Sequence, residues 1–173
     1  MIKIYTDGSC LGNPGAGGWA AVIVDEKNHY EEIFGGAEHT TNNRMELTAA
    51  IRALEKIPSG ASAELFTDSN YLKNAFTNGW IISWKRRGWR TSTGGQVLNK
   101  DLWKELNELI SARAVTFNWV KGHAGNFLNE RCDILARTTA EKFQRGELKD
   151  PLQEKISTQE KVEPQGQLSL FDF

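Results

Sequence analysis

The spacing of apolar residues changes once along this chain, and that change restricts the fold more than any other feature of the sequence. Up to about residue 40 the apolar residues lie in short, strand-like runs at 2–6, 19–24 and 30–37, separated by turn-forming residues. Strands that follow one another this closely are typical of an antiparallel meander. Farther along, apolar residues such as Leu47 and Ile51 recur every three or four positions, which indicates helices.

Helix-like and strand-like segments then alternate up to about residue 143. We predict helices at about 43–57, 69–77, 80–87 and 100–112, a final helix that includes Leu128 and Phe143, and strands at 63–67 and 115–120. A meander followed by this alternation predicts an α/β fold. Its mixed five-stranded sheet would have three antiparallel strands and then two parallel ones, flanked by helices.

Composition separates three parts of the chain. Residues 1–145 suit one globular domain, 146–166 form a polar linker rich in Gln, Glu, Lys and Pro, and 167–173 are largely apolar again. No apolar run approaches the roughly 18 residues of a membrane span, and the N-terminus lacks the apolar stretch of a secretory signal. We therefore expect a cytoplasmic monomer that does not contact a membrane, with Cys10 and Cys132 as reduced thiols.

The charges are unevenly distributed, although the net charge is only −1. Between residues 80 and 104 Asp101 is the single acid among the basic residues Lys85, Arg86, Arg87, Arg90, Lys100 and Lys104. A polyanion responds to such a local cluster and not to the total charge. Residues Trp80–Arg90, called here the basic segment, are therefore a candidate nucleic-acid surface.

Two predicted strands end in the same way, with Asp7 after the first strand and Asp68 after the fourth. In open α/β sheets, ligands usually bind at the carboxyl ends of the strands. Glu46 lies in the first turn of a predicted helix, and Asp133 lies early in the last one. Four carboxylates from separate elements could converge on a hard divalent cation such as Mg²⁺ or Mn²⁺, which prefers oxygen ligands.

Each acid also has a purely structural interpretation, and spacing alone does not decide between the two. Asp68 or Ser69 could cap the helix that follows. Glu46 could bond back to the backbone of Asn43 in a variant of the capping box. Asp7 could form a turn, and Asp133 could be a solvated helix residue.

The motifs around these acids resemble those of bacterial type 1 ribonuclease H, in the same order and over roughly residues 1–143. They are Thr6-Asp7-Gly8-Ser9-Cys10-Leu11-Gly12-Asn13-Pro14-Gly15, Thr41-Asn42-Asn43-Arg44-Met45-Glu46-Leu47, Thr67-Asp68-Ser69, Trp119-Val120-Lys121-Gly122-His123-Ala124-Gly125 and Asn129-Glu130-Arg131-Cys132-Asp133. The resemblance implies the ribonuclease H-like fold. It also implies an endonuclease that hydrolyses the RNA strand of RNA–DNA hybrids, such as RNA primers in DNA replication.

The same resemblance implies the catalytic residues. Asp7, Glu46, Asp68 and Asp133 would be the metal-binding acids of a two-metal hydrolysis with Mg²⁺, for which Mn²⁺ can substitute, giving 5′-phosphate and 3′-hydroxyl ends. His123 matches the family histidine that aids proton transfer or product release, and an imidazole that titrates near neutrality suits that role. The alternative is a loop histidine that is merely exposed to water.

The resemblance also implies how each strand of the hybrid is held. The RNA strand, marked by its 2′-hydroxyls, would lie along Cys10, Asn13, Asn42 and Asn43. The DNA strand would lie over Thr41, Trp80, Trp84, Lys85, Arg86, Arg87 and Asn99. Alternatively, the asparagines of the Thr41–Leu47 motif cap a helix, and the tryptophans pack their helix on its neighbour while the charges are solvated. Trp89 is expected to serve packing.

The C-terminal residues Gln167, Leu168, Leu170 and Phe171 resemble the short motif by which bacterial replication proteins bind the sliding clamp. A polar linker that presents a few apolar anchors to a groove on a partner is physically reasonable. Two alternatives are that these residues fold back onto the domain, or that they form a tail recognised by the proteolysis machinery.

Two other functions are compatible with parts of this pattern. A non-catalytic module that binds hybrids would be favoured by a missing metal ligand, but all four acids are present. A resolvase or integrase core of the same superfamily would not need the basic segment or the motifs expected to contact the 2′-hydroxyls. The hybrid nuclease is therefore the leading hypothesis.

Overall fold

The computed structural model describes residues 1–121 and 125–149. Its elements follow the predicted order, with these bounds: β1 Ile2–Cys10, β2 Gly15–Val24, β3 Tyr30–Thr40, α1 Asn42–Lys56, β4 Ser62–Thr67, α2 Asn70–Thr77, α3 Trp80–Arg86, α4 Lys100–Ser111, β5 Ala114–Trp119 and α5 Phe127–Gln144. The predicted types of the elements are confirmed, and most boundaries move by only a few residues.

The five strands form one sheet in the order β3-β2-β1-β4-β5. The β1–β2 and β2–β3 pairs are antiparallel, whereas the β1–β4 and β4–β5 pairs are parallel. This arrangement confirms the predicted α/β fold with its mixed sheet. Strand β1 lies at the centre, so a residue near its carboxyl end can be reached by elements on both faces of the sheet.

The β1–β2 hairpin is longer than the glycine pattern predicts. The strand-like runs at 2–6 and 19–24 leave the glycine-rich residues between them as a loop, but Ser9 pairs with Gly18 and Cys10 with Gly17, so this expectation is wrong for most of that stretch. The glycines serve close packing instead, since a Cβ on Gly18 would overlap the carbonyl oxygen of Ala136 in α5. Only glycine lets the helix approach the strand this closely.

Helices cover both faces of the sheet. On one face Ile4, Ala21 and Leu65 pack with residues of α1, α2, α3 and α4 in the larger core. On the other face Ala20 and Val22 pack against α5 in a smaller core. Successive residues of β2 thus point to opposite cores, as the twofold alternation of a strand requires. The sheet holds α1 and α5 on opposite sides of β1.

Within the described ranges, no helix has the length and apolar content needed to cross a membrane. Both cysteines are free thiols.

Candidate active site

Strand register brings two of the predicted acids side by side. Parallel pairing of β1 with β4 aligns Tyr5 with Phe66, so continuation by two residues brings Asp7 level with Asp68. Asp68 directly follows the last residue of β4, as predicted. Asp7 does not end its strand, because β1 continues to Cys10 through pairing with β2. The expectation that Asp7 follows the end of its strand is therefore wrong, although Asp7 does lie next to Asp68.

Glu46 reaches the same place from α1. Gly8 makes this possible, because a Cβ at that position would lie 2.5 Å from the backbone nitrogen of Glu46 and 2.7 Å from the carbonyl carbon of Met45. The missing side chain lets the helix lie directly against β1 beside Asp7. Glu46 is only 5% exposed, an unusual position for a carboxylate that forms no ion pair with any basic residue in the described part of the chain.

The three carboxylates form a compact cluster. Asp7, Glu46 and Asp68 each place one carboxylate oxygen so that the three oxygens lie within 4.8 Å of one another. Asp133 of α5 lines the same cavity of about 210 Å³ and lies 3.6 Å from Arg137 in an ion pair. We call this cavity, with its four acids, the acid pocket. Its wall is completed by Gly8, Val120, Lys121, Asn126, Asn129 and Glu130.

Burial and mutual repulsion work against ionisation of these acids. Burial, followed by the nearby charge of Asp68, raises the pKa of Asp7 to about 7, although the Gly8 N–H donates to its carboxylate at 2.9 Å. Burial, then Asp7 and Asp68, raises the pKa of Glu46 well above its ordinary value. A bound cation would reverse these effects, because it favours the ionised form of each ligand.

The hydrogen bonding of the pocket fits a hard cation. The buried Oε2 atom of Glu46 and the Oδ1 atom of Asn129 have no hydrogen-bond donor among the described residues. Buried acceptors are normally paired, so an unpaired carboxylate oxygen in the cluster, together with an unpaired amide oxygen on the wall of the same pocket, fits a site that binds a positive group. The donor set consists of oxygens alone, which Mg²⁺ and Mn²⁺ prefer.

The proposed capping roles of these acids are not found. Helix α1 is capped by Thr41, whose Oγ1 accepts from the Arg44 backbone N–H, so the capping box with Glu46 does not form. Helix α2 is capped by Ser69, whose hydroxyl accepts from the Leu72 N–H, and this leaves Asp68 free of that role.

Two of the four residues predicted along the RNA strand, Asn13 and Asn42, contact each other. Asn13 Oδ1 accepts from the Asn42 backbone N–H at 2.9 Å, which ties the β1–β2 turn to the start of α1. The Cys10 thiol donates to the Thr40 carbonyl at 3.3 Å, at the end of β3. Asn43 lies beside Asn42 in α1 and is half-buried. The contacts of Cys10 and Asn13 hold the end of β1 and the β1–β2 turn close to the start of α1.

The basic segment combines packing with exposure. Trp80 and Trp84 lie 6.0 Å apart by ring centroids, as predicted for one helix face, and Trp84 is also 5.6 Å from the buried Trp103. Trp84 and Trp89 pack against the larger core, whereas Trp80 is 37% exposed. The basic side chains that follow are solvent-exposed: Lys85, Arg86, Arg87 and Arg90.

Thr41 and Asn99, predicted to hold a DNA phosphate, are connected through a residue that the sequence reasoning missed. Arg44 donates from its backbone to Thr41 and from its Nη1 to Asn99 Oδ1, and it forms a bidentate ion pair with Asp101. The position of Arg44 inside the Thr41–Leu47 motif was the available signal. In the sequence, Asp101, the ion-pair partner of Arg44, stands out only as the single acid in a basic stretch.

His123, the predicted linker beyond residue 149 and the predicted clamp motif at Gln167, Leu168, Leu170 and Phe171 lie outside the described residues.

Comparison with known proteins gives consistent results. The family model described as RNase H matches residues 1–141. The chain is 52% identical over 139 residues to the ribonuclease H of Pseudoalteromonas atlantica, covering 80% of this chain and 90% of that protein. The crystal structure of LC9-RNase H1, a type 1 RNase H with the type 2 active-site motif, is similar with a TM-score of 0.69 and 31% identity, over 81% of this chain and 72% of that one. LC11-RNase H1 in complex with RNA/DNA hybrid is similar with a TM-score of 0.60 and 26% identity, over 82% and 98% of the two chains.

Proposed function

This chain belongs to the RNase H family, and from that premise we propose that it is an endonuclease that hydrolyses the RNA strand of RNA–DNA hybrids. The observation that carries the proposal is the cluster of Asp7, Glu46 and Asp68, whose carboxylate oxygens lie within 4.8 Å of one another. The similar LC11-RNase H1 was solved with a hybrid, which supports the choice of substrate.

Asp7, Glu46, Asp68 and Asp133 are the residues that would hold the metal ions. The unpaired Glu46 Oε2 and the raised pKa values of Asp7 and Glu46 support this assignment, because a bound cation would both contact that oxygen and favour the ionised carboxylates. Two Mg²⁺ ions, or Mn²⁺ in their place, would activate the attacking water and stabilise the leaving 3′ oxygen, giving 5′-phosphate and 3′-hydroxyl ends. The pocket wall, including Lys121, would keep the scissile phosphate against the acids.

His123 is proposed to transfer a proton to the departing group, or to aid product release, since an imidazole side chain titrates near neutrality and can carry the proton as imidazolium near pH 7. Its place in the sequence supports this, because it follows Lys121 of the pocket wall and precedes Asn126, which caps α5 at the same wall. A loss of activity in His123→Ala that is largest below the pH optimum would support a proton-transfer role.

The two strands of the hybrid are proposed to lie on different surfaces. Cys10, Asn13, Asn42 and Asn43 would follow the RNA strand, where backbone and amide groups can reach 2′-hydroxyls. The DNA strand would cross Thr41 and Asn99 and then the basic segment with Trp80, Trp84, Lys85, Arg86 and Arg87, where cations and flat indoles suit phosphates and sugars. Exposure of the basic side chains supports this path.

Cleavage of labelled duplexes in Mg²⁺ tests the central proposal. An RNA–DNA hybrid, single-stranded RNA, an RNA duplex and a DNA duplex are compared, with Asp68→Asn and metal-free reactions as controls. Cutting that is confined to the hybrid and lost in both controls is the expected result. Tight binding of the hybrid without cutting would favour a non-catalytic binding module, and cutting of DNA duplexes would favour another nuclease of the superfamily.

A cellular role is proposed from the rest of the chain. The protein would act in the cytoplasm as a monomer, removing RNA primers and other hybrids. Gln167, Leu168, Leu170 and Phe171 would bind the bacterial sliding clamp and raise the local concentration of the nuclease at replicating DNA. Retention of the full chain on immobilised clamp, with loss in a chain that lacks residues 167–173, is expected. Equal retention of the two proteins would contradict clamp binding by the tail.

A further inference from the structure

Asn99 begins helix α4 in an unusual way. Its backbone is left-handed, with φ 58° and ψ 30°, and its side chain makes no capping hydrogen bond to the helix. Asparagine at a helix N-terminus usually accepts from the first free N–H groups. Because Asn99 gives up that contact, its side chain must be held by other groups.

Two neighbours determine which way the Asn99 amide faces. The Arg44 guanidinium donates to Oδ1 at 3.2 Å, and because arginine has only donors this atom must be the oxygen. The Nδ2 group then faces Tyr71 and donates to its hydroxyl oxygen at 3.1 Å. Arg44 itself cannot turn away, since Asp101 holds it through two contacts of 2.7 and 3.0 Å.

The Tyr71 hydroxyl is a rigid acceptor. Trp103, which is fully buried, donates its indole N–H to the same oxygen at 2.9 Å, and the two rings pack with centroids 5.2 Å apart. The hydroxyl oxygen therefore accepts from both Trp103 and Asn99. An NH₂ group carries two protons, so Asn99 retains one N–H that no hydrogen bond among the described residues uses.

We propose that Tyr71 is a positioning residue for the DNA strand, acting through Asn99. Its hydroxyl and Arg44 together hold the Asn99 amide so that the remaining N–H can donate to one phosphate of that strand, with the hydroxyl of Thr41, which Arg44 also contacts, as a second donor. Thr41 accepts from the Arg44 backbone, which leaves its own hydroxyl proton to donate as well. The inference rests on the proposed function, because it assumes that the Thr41–Asn99 surface holds the DNA strand of a hybrid.

The test uses hybrids whose DNA strand carries a single neutral methylphosphonate at each position in turn. With the wild-type chain, one position should raise the KM for cleavage, because it removes the charge that Asn99 contacts. In Tyr71→Phe the KM for unmodified hybrid should rise about twofold to tenfold, the usual worth of one hydrogen bond, with kcat unchanged. The rise in KM that the methylphosphonate causes at that one position should nearly disappear in Tyr71→Phe. It should nearly disappear in Asn99→Ala as well.

Three controls separate positioning from a general structural role. Tyr30→Phe alters a tyrosine that is 69% exposed at the start of β3, and it should change neither KM nor the position-specific penalty. Tyr71→Phe should cause no further rise in KM in an Asn99→Ala background. If Tyr71 only stabilised the fold, the effects of the two substitutions would add. Arg44→Lys, which removes the other contact of the amide, should repeat the loss of the penalty even if Tyr71→Phe fails to fold.

A position-specific penalty of full size in folded Tyr71→Phe would overturn the inference. Absence of any sensitive DNA phosphate in the wild-type chain would also overturn it, while continued cleavage of unmodified hybrid would leave the proposed function standing. Loss of all hybrid cleavage in the wild-type chain would instead contradict the proposed function itself.

Discussion

The acid pocket and the basic segment are built in opposite ways. In the acid pocket, buried carboxylates repel one another and Glu46 Oε2 has no hydrogen-bond donor among the described residues. In the basic segment Trp84 packs beside the buried Trp103, and the neighbouring cations are open to solvent. One region lowers the stability of the fold as it stands, whereas the other contributes to it.

This difference shows how strongly each region indicates function. A cluster that lowers the stability of the fold is expected where a bound group offsets that cost, so the acid pocket indicates a ligand. Trp84 and Trp89 of the basic segment are already explained by packing, so their presence does not by itself indicate a binding role. Substitutions in the two regions should therefore differ in their effects, and the largest effect is expected in the acid pocket.

Replacing Glu46 with Gln should abolish activity without weakening the fold. The change removes a metal ligand worth several kcal/mol in the transition state, so the rate of hybrid cleavage should fall by at least about a thousandfold. The amide keeps the shape of the side chain and removes a repelling charge, so the metal-free melting temperature should not fall. Glu108→Gln, on the exposed face of α4, is the matched control and should alter neither quantity. A large drop in melting temperature in Glu46→Gln would mean that the carboxylate is structural.

Replacing Gly8 with Ala should damage both stability and activity. The added Cβ would lie 2.5 Å from the Glu46 backbone nitrogen, so α1 must move away from β1. Such overpacking costs about 1–3 kcal/mol, and displacement of Glu46 by about 1 Å can cost roughly a hundredfold in rate. Urea denaturation and cleavage assays measure the two effects. Gly95→Ala, where the nearest atom would be 3.5 Å away, should be almost neutral, and equal losses in both variants would contradict the packing argument.

The Gly8 case also shows what the sequence could and could not predict. Strand and helix periodicity gave the order of elements and the mixed sheet, because each face of these elements packs against one core. The extended β1–β2 hairpin could not be predicted, since glycine signals a loop as readily as a close helix contact. The left-handed Asn99 and its contacts with Arg44 and Tyr71 depend on residues far apart in sequence. Similarly, the split between exposed Trp80 and packed Trp84 depends on the position of α4.

The pH dependence of the metal-free fold should reveal the stability cost of the acid pocket. The pKa of Asp7 is about 7 in the fold, against an ordinary value of 3.8, so the folded state binds more protons between these values. Stability should therefore fall as pH rises from about 4 to about 7, and this contribution should level off above that range. Melting temperatures in a chelating buffer should show a smaller decline for Asp7→Asn. Added Mg²⁺ should restore wild-type stability near pH 7, and identical pH profiles for the two proteins would contradict the assignment.

Replacing Lys85 with Ala should give the smallest effect and the cleanest view of the basic segment. Lys85 is exposed and lies in the last turn of α3, so its loss should leave the melting temperature unchanged. If it contacts a phosphate, hybrid binding should weaken a few-fold and the slope of log affinity against log salt should decrease by about one. Lys27→Ala, in the exposed β2–β3 turn, removes the same charge at a distant place and should leave that slope unaltered. Equal changes of slope in the two variants would mean that the hybrid responds to total charge, and the basic segment would then be a packing element whose cations are only solvated.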